Sequence, residues 1–224
     1  MAAYQIPLQI KLNDAATFVN YLSGANAEIV KILQAGTEPY LYLWSAEATG
    51  KTHLLQALCH SMGQGQAIYL PLKELAQQPA EILEGLEQFR LVCVDDIQCI
   101  AGHADWELNL FHLYNRLREQ GGHLCITSNV SPEQLNVQLA DLLSRLKWGL
   151  VYQLQVLKDE DKIRAMQLRA SQRGFDLTDE VAKFLLNRYP RDLHNLFALL
   201  DKLDSASLQA QRRLTIPFVK QWLE

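Results

Sequence analysis

Five short apolar runs, at 40–44, 67–70, 91–94, 124–127 and 151–156, are separated by longer stretches whose apolar residues recur at helical spacing. A strand that is apolar along its whole length has no face to give to water, so it belongs in a sheet covered on both sides. Runs of this kind alternating with helices define an α/β domain. We therefore expect about five parallel strands flanked by helices. After residue 156 no strand run of comparable strength follows, and helices take over. One over 159–173 stops at Gly174, and a second begins near Thr178 and ends before Pro190. A third carries Leu193, Leu196, Phe197, Leu200 and Leu203 on one face, and a short last helix entered near Pro217 holds Phe218, Val219 and Trp222. The chain thus divides near Leu157 into an α/β core and a small helical C-terminal domain.

The loop after the first apolar run reads Ser45, Ala46, Glu47, Ala48, Thr49, Gly50, Lys51 and Thr52, and Leu54, Leu55, Leu58 and Met62 follow at helical spacing. Strand, loop and helix in this order make a phosphate-binding P-loop, in which backbone N–H groups and the positive end of the helix dipole wrap a di- or triphosphate. Lys51 adds a charge toward the terminal phosphates, and the Thr52 hydroxyl is placed to ligate Mg2+. The pattern G-x-x-x-x-G-K-[ST] asks for glycine where Ser45 stands, and Gly50 is the loop's one glycine. Taken alone, Gly50-Lys51-Thr52 also fits an ordinary helix start with an exposed lysine. The third run ends in Asp95 and Asp96. Asp95 would hold the hydration shell of Mg2+, and Asp96 would orient or polarise an attacking water. Without Lys51 these aspartates would read as a turn capping the next helix; with it they indicate a P-loop NTPase.

Beyond the fourth run, Thr127-Ser128-Asn129 puts polar side chains where a γ-phosphate and water would lie. Ser131-Pro132-Glu133-Gln134 has the capping serine, first-turn proline and third-position glutamine of a helix start. Arg145 follows the end of a helix at 141–144 and has no obvious acid nearby in sequence, so it is either a surface arginine or one aimed at another molecule.

The net charge of -4 over 224 residues argues against a protein that coats nucleic acid. The N-terminus lacks the basic start and apolar run of a signal peptide, and no apolar segment approaches a bilayer span, so a cytoplasmic protein without membrane contact is expected. Cys59, Cys93, Cys99 and Cys125 form no C-x-x-C and read as buried free thiols, and the six histidines form no metal-binding pattern.

The chain resembles the DnaA branch of the AAA+ ATPases through Asp95-Asp96-Ile97-Gln98, through Ser144-Arg145 with Trp148-Gly149-Leu150, and through Thr17-Phe18 ahead of Gly24 and Asn26. Asp159-Glu160-Asp161-Lys162 and residues 214–220 are similar to the lid of regulatory members of that branch. The resemblance implies an AAA+ core over 14–157 and a helical lid over 158–224. It further implies an adenine nucleotide, ADP or ATP, cradled by residues 45–52, with Mg2+ near Thr52 and Asp95 and Asn129 as a sensor. Arg191, just after Pro190 at the start of the third lid helix, falls where the family has its second sensor arginine. A cation there opposes the helix dipole, so an anionic partner is expected. Ser45 and Ala48 replace glycines, and Asp96 stands where active motors carry glutamate, which implies nucleotide binding with weak intrinsic turnover.

Arg145 occupies the position at which the family points an arginine at a nucleotide held by a neighbouring subunit. The chain stops at Glu224 without the helix-turn-helix that follows the lid in DnaA, so no sequence-specific DNA recognition is expected. Gln5, Ile6, Leu8 and Ile10, within a docking segment over 1–13, resemble the peptide by which such proteins bind the β sliding clamp on DNA. An edge strand guarded by Pro7 is the alternative. The implied function is negative regulation of replication initiation, with DnaA as partner, Arg145, Asp96 and Asn129 as catalytic groups, and a homodimer or higher homo-oligomer as the assembly. The rival is an ATP-driven helicase loader or transposition helper of the DnaC or IstB type, which needs a basic groove that the acidic balance counts against. A scaffolding protein with a disused P-loop is the third possibility.

Overall fold

A computed structural model describes residues 12, 16–46, 48–210 and 214–223. Gln5, Ile6, Leu8 and Ile10, and Glu47 of the loop, lie outside the described residues. The chain forms two compact units, one chiefly from Asn26–Ala46 and Gly50–Gln155, the other from Val19–Ala25, residues 48–49 and the chain from Val156 onward.

In the first unit the strands are β1 (Tyr40–Trp44), β2 (Ala67–Pro71), β3 (Leu91–Asp95), β4 (His123–Ser128) and β5 (Leu150–Gln153). They form one parallel sheet in the order β2-β3-β4-β1-β5. Its helices are α1 (Ala27–Ala35), α2 (Lys51–Met62), α3 (Leu72–Leu75), α4 (Ala104–Gln120) and α5 (Ala140–Trp148). Alternation along the strands sends Tyr40, Tyr42, Val92, Val94, Leu124 and Ile126 to one face, where they pack on Trp106, Leu110, Leu113, Tyr114 and Leu117 of α4 and Leu142 and Leu146 of α5. Leu41, Leu43, Cys93 and Cys125 take the other face, which α2 covers. Each aliphatic side chain so buried contributes about 1.5–3 kcal/mol.

Two expected elements differ. The fifth strand stops at Gln153 rather than 156, because beyond Leu154 its backbone is bonded by a side chain instead of a strand. Buried Asn26 donates Nδ2 to the Gln155 carbonyl at 2.8 Å and accepts the Gln155 N–H at 2.7 Å. The helix expected from Ser131 is a single 3-10 turn, Pro132–Gln134. Ser131 makes no side-chain cap bond, and the N–H groups of Gln138 and Leu139 that a continuing helix would use are taken by Glu107.

The second unit contains α6 (Asp159–Gln172), α7 (Asp179–Arg188), α8 (Leu193–Ala210) and α9 (Ile216–Leu223). Gly174 follows α6 with φ +85°, and Thr178 caps α7 by accepting the Val181 N–H. Leu185, Leu196, Leu200, Leu203, Phe218 and Val219 form its core. Arg169 and Arg173 of α6 pair with Asp201 and Asp204 of α8. No helix among the described residues is long and apolar enough to cross a membrane.

Candidate functional site

Because β4 lies between β1 and β3 and all three are parallel, the residues that follow them converge at the carboxyl-terminal end of the strands. The Ser45 N–H donates to the Ser128 carbonyl at 3.2 Å. Asp95, at the end of β3, is buried, and three hydroxyls address it. Thr52 Oγ1 and the Tyr69 phenol each donate to Oδ2 at 2.7 Å, and Thr127 Oγ1 donates to Oδ1. These bonds satisfy a carboxylate that would be costly to bury without partners. Burial, and then the neighbouring Asp95 carboxylate, push the Tyr69 phenol well above its ordinary pKa.

Asp96 has φ 60° and ψ 51°, and it is the one non-glycine with positive φ among the described residues. Such a conformation costs on the order of 1–3 kcal/mol and persists where its surroundings enforce it. Here its N–H donates to Thr127 Oγ1 at 3.1 Å, and Gln98 Nε2 donates to its Oδ1 at 2.8 Å. Gln98 Oε1 in turn accepts the Asn129 N–H at 3.2 Å. The amide orientation that satisfies both neighbours is this one. Gln98 therefore ties the second acid to the residue expected as sensor, a role its presence in a sequence motif did not reveal.

Lys51 opens α2 after Gly50, whose φ of +84° lets the loop turn into the helix. Its ammonium donates to the Ser45 carbonyl at 2.7 Å, so the cation folds back over its own loop. Burial lowers the Lys51 pKa, while Asp96 and Asp95 act against that shift. No acid lies in the first turn of α2, leaving its dipole uncompensated for an anion. Thr52 and Asp95 offer hard oxygen donors 2.7 Å apart. The described residues hold no cluster of three or more His, Cys, Asp or Glu fit for a metal, so a cation there would be held by these two residues with phosphate and water, as Mg2+ usually is. The residues present fit an Mg2+-nucleotide.

Residues 48 and 49 of the loop belong to the second unit. Thr49 accepts the Tyr21 hydroxyl at its carbonyl, and its own hydroxyl is buried without a hydrogen-bond partner among the described residues. Ala48 lines a cavity of about 110 Å3 with Val156, Leu157, Lys162, Arg191, Asp192 and Leu193. Arg191 precedes α8 rather than opening it, and its anionic partner is Asp159, at 3.1 Å. Arg191 also donates to Asn187 Oδ1 at 3.3 Å.

Arg145 stands within α5, not after a helix end, because that helix runs on to Trp148. Its guanidinium lies 5.9 Å from the centre of the Tyr114 ring, and it forms no ion pair with a described residue. Both ends of α5 are fixed. Glu107 of α4, 1% exposed, accepts the N–H groups of Gly102 at 2.7 Å, Gln138 at 2.9 Å and Leu139 at 2.8 Å, and Leu139 caps α5. At the other end a Cβ on Gly149 would lie 2.2 Å from the Tyr40 carbonyl oxygen, so only glycine lets the chain pass into β5. Sequence reasoning missed Glu107. The available signal was a carboxylate at the helical spacing of Leu110, Tyr114 and Leu117, on the apolar face of α4. Cys59, Cys93 and Cys125 are buried free thiols as expected, and Cys99 is only partly covered.

The sequence matches the family model of the bacterial DnaA ATPase domain over residues 12–153 and that of the Hda lid domain over 159–223. Among solved structures it is similar to domain III of the replication initiation protein DnaA from Thermotoga maritima, with a TM-score of 0.80 at 22% identity over 96% of this chain and 98% of that one. AMPPCP-bound DnaA from Aquifex aeolicus gives a TM-score of 0.71 at 21% identity over 89% and 74% of the two chains. A RuvB variant from Thermotoga maritima gives 0.67 at 12% identity over 93% and 71%. These similarities establish the expected architecture, an AAA+ core with a five-stranded parallel sheet and a helical lid.

Proposed function

Because the chain belongs to the family of bacterial DnaA ATPase domains and carries an Hda lid domain, we propose that it is a negative regulator of replication initiation, acting on ATP-bound DnaA. Its own P-loop would hold an adenine nucleotide, with Lys51 and the N-terminus of α2 on the phosphates. Thr52 and Asp95 would hold Mg2+, which neutralises phosphate charge when bound. Asn129 and Arg191 would sense the nucleotide. Ser45 and Ala48 in place of glycines, and an Asp96 tethered by Gln98, fit retention of ADP as a switch better than rapid turnover.

In this account Arg145 acts on the partner's nucleotide. The observation that carries the proposal is a guanidinium without an acid partner among the described residues, on a helix anchored at both ends. Five rigid N–H donors suit transferring phosphoryl oxygens, and an arginine supplied in trans is worth about 10³–10⁵ in rate in GTPases. Gln5, Ile6, Leu8 and Ile10 would dock the protein on the DNA-loaded clamp and raise its effective concentration near DnaA. The test is hydrolysis of DnaA-bound ATP with this protein and a DNA-loaded clamp added singly and together. Stimulation that requires both is expected; an unchanged rate under every condition contradicts the proposal.

A further inference from the structure

Trp148 ends α5 and is 58% exposed, the most exposed of the chain's four tryptophans. Two side chains contact its ring. The Arg118 guanidinium stacks over the indole at 4.8 Å, and the Tyr40 ring meets it edge-on at 6.0 Å. Tyr40 in turn packs on Tyr114 at 4.7 Å, the ring beneath Arg145. Two arginines therefore lie on one continuous aromatic platform, one at each end. Neither forms an ion pair with a described residue. A guanidinium held over a ring still has N–H donors to offer a carboxylate, and Arg118 is exposed.

We propose that Trp148 and Arg118 form the docking surface for the ATP-bound DnaA subunit, which would present an apolar spot to Trp148 beside a carboxylate for Arg118. This rests on the proposed role of Arg145. Three residues along a helix advance about 4.5 Å, so a partner that receives Arg145 is in reach of Trp148. The occupant follows from that continuity and from two cations whose charge nothing described in this chain answers. An exposed tryptophan has few side-chain torsions to fix on binding, and tryptophan is enriched among interface hot spots. Arg145 serves the chemistry, whereas Trp148 and Arg118 hold the partner.

Binding of the full chain to DnaA loaded with AMPPCP, measured by calorimetry, tests the surface independently of hydrolysis. Trp148→Ala should raise Kd at least about tenfold, as truncation of an aromatic hot spot does, and Arg118→Ala should raise it several-fold. Arg118 is exposed, so its variant keeps the test valid should Trp148→Ala loosen Tyr40. In the hydrolysis assay Trp148→Ala should raise the half-saturating concentration of this protein with the maximal rate kept. Unchanged Kd for both variants overturns the docking surface even if the wild type stimulates DnaA. Binding that depends on Trp148 without stimulation sinks the regulatory function and leaves the surface standing. Loss of self-association on Trp148→Ala with unchanged DnaA binding assigns the surface to a second copy of this chain and also overturns the proposal.

Discussion

The Lys51 ammonium lies in a partly desolvated position against the Ser45 carbonyl, with two carboxylates close enough to favour its charged form. Phosphate would replace that carbonyl as acceptor in a charge-assisted bond of about 1.5–3 kcal/mol. Lys51→Ala should therefore weaken ADP and ATP binding by roughly 10- to 100-fold, and unchanged affinities in calorimetry would rule out the P-loop assignment. Burial depresses the amine's pKa, so nucleotide affinity should begin to fall at lower pH than for a solvent-exposed lysine, because only the protonated form attracts phosphate. Thr127 bridges both acids. Thr127→Val leaves Asp95 short of a donor and the Asp96 N–H without its acceptor, and should cost about 1–3 kcal/mol in urea unfolding. That Thr52 and Asp95 meet was legible from the motif order that a phosphate site would demand. Gln98 was not, since its bond to Asn129 spans 31 positions and exists only once β3 and β4 are neighbours.

Among the elements, the strands were legible because full burial writes an uninterrupted apolar run, as in β3, whose five residues are all buried. Elements that depend on a distant polar group were misjudged. The turn after Ser131 has helix-start chemistry, but Glu107 draws the following backbone away to cap α5. Asn26 ends β5 from 129 residues away. Glu107→Ala leaves three N–H groups without their acceptor and should lose roughly 3 kcal/mol or more. Near-wild-type urea stability for that variant would mean that solvent or other groups replace the carboxylate. At the opposite end of the helix, Gly149→Ala drives a Cβ into the Tyr40 carbonyl, which must shift β1 or β5. A cost of about 1–3 kcal/mol is expected, the usual range for overpacking.

At the scale of the molecule, an AAA+ core and a helical lid would bring a nucleotide, a partner's nucleotide and a sliding clamp under one regulator. Replacing Gln5 and Leu8 with Ala should abolish clamp association while the thermal transition stays at its wild-type temperature; co-elution with the clamp at wild-type levels would remove that docking site. The overall architecture was legible because strand and helix periodicities change once, near residue 156. The direction in which Arg145 acts was not, because it depends on a second protein. Hydrolysis of DnaA-bound ATP in the presence of DNA-loaded clamp and the Arg145→Ala variant tests this most directly. The account predicts that stimulation disappears, with Arg145→Lys recovering little because a single ammonium lacks the planar fork of donors. Stimulation by the alanine variant equal to that of the unmodified protein would contradict it.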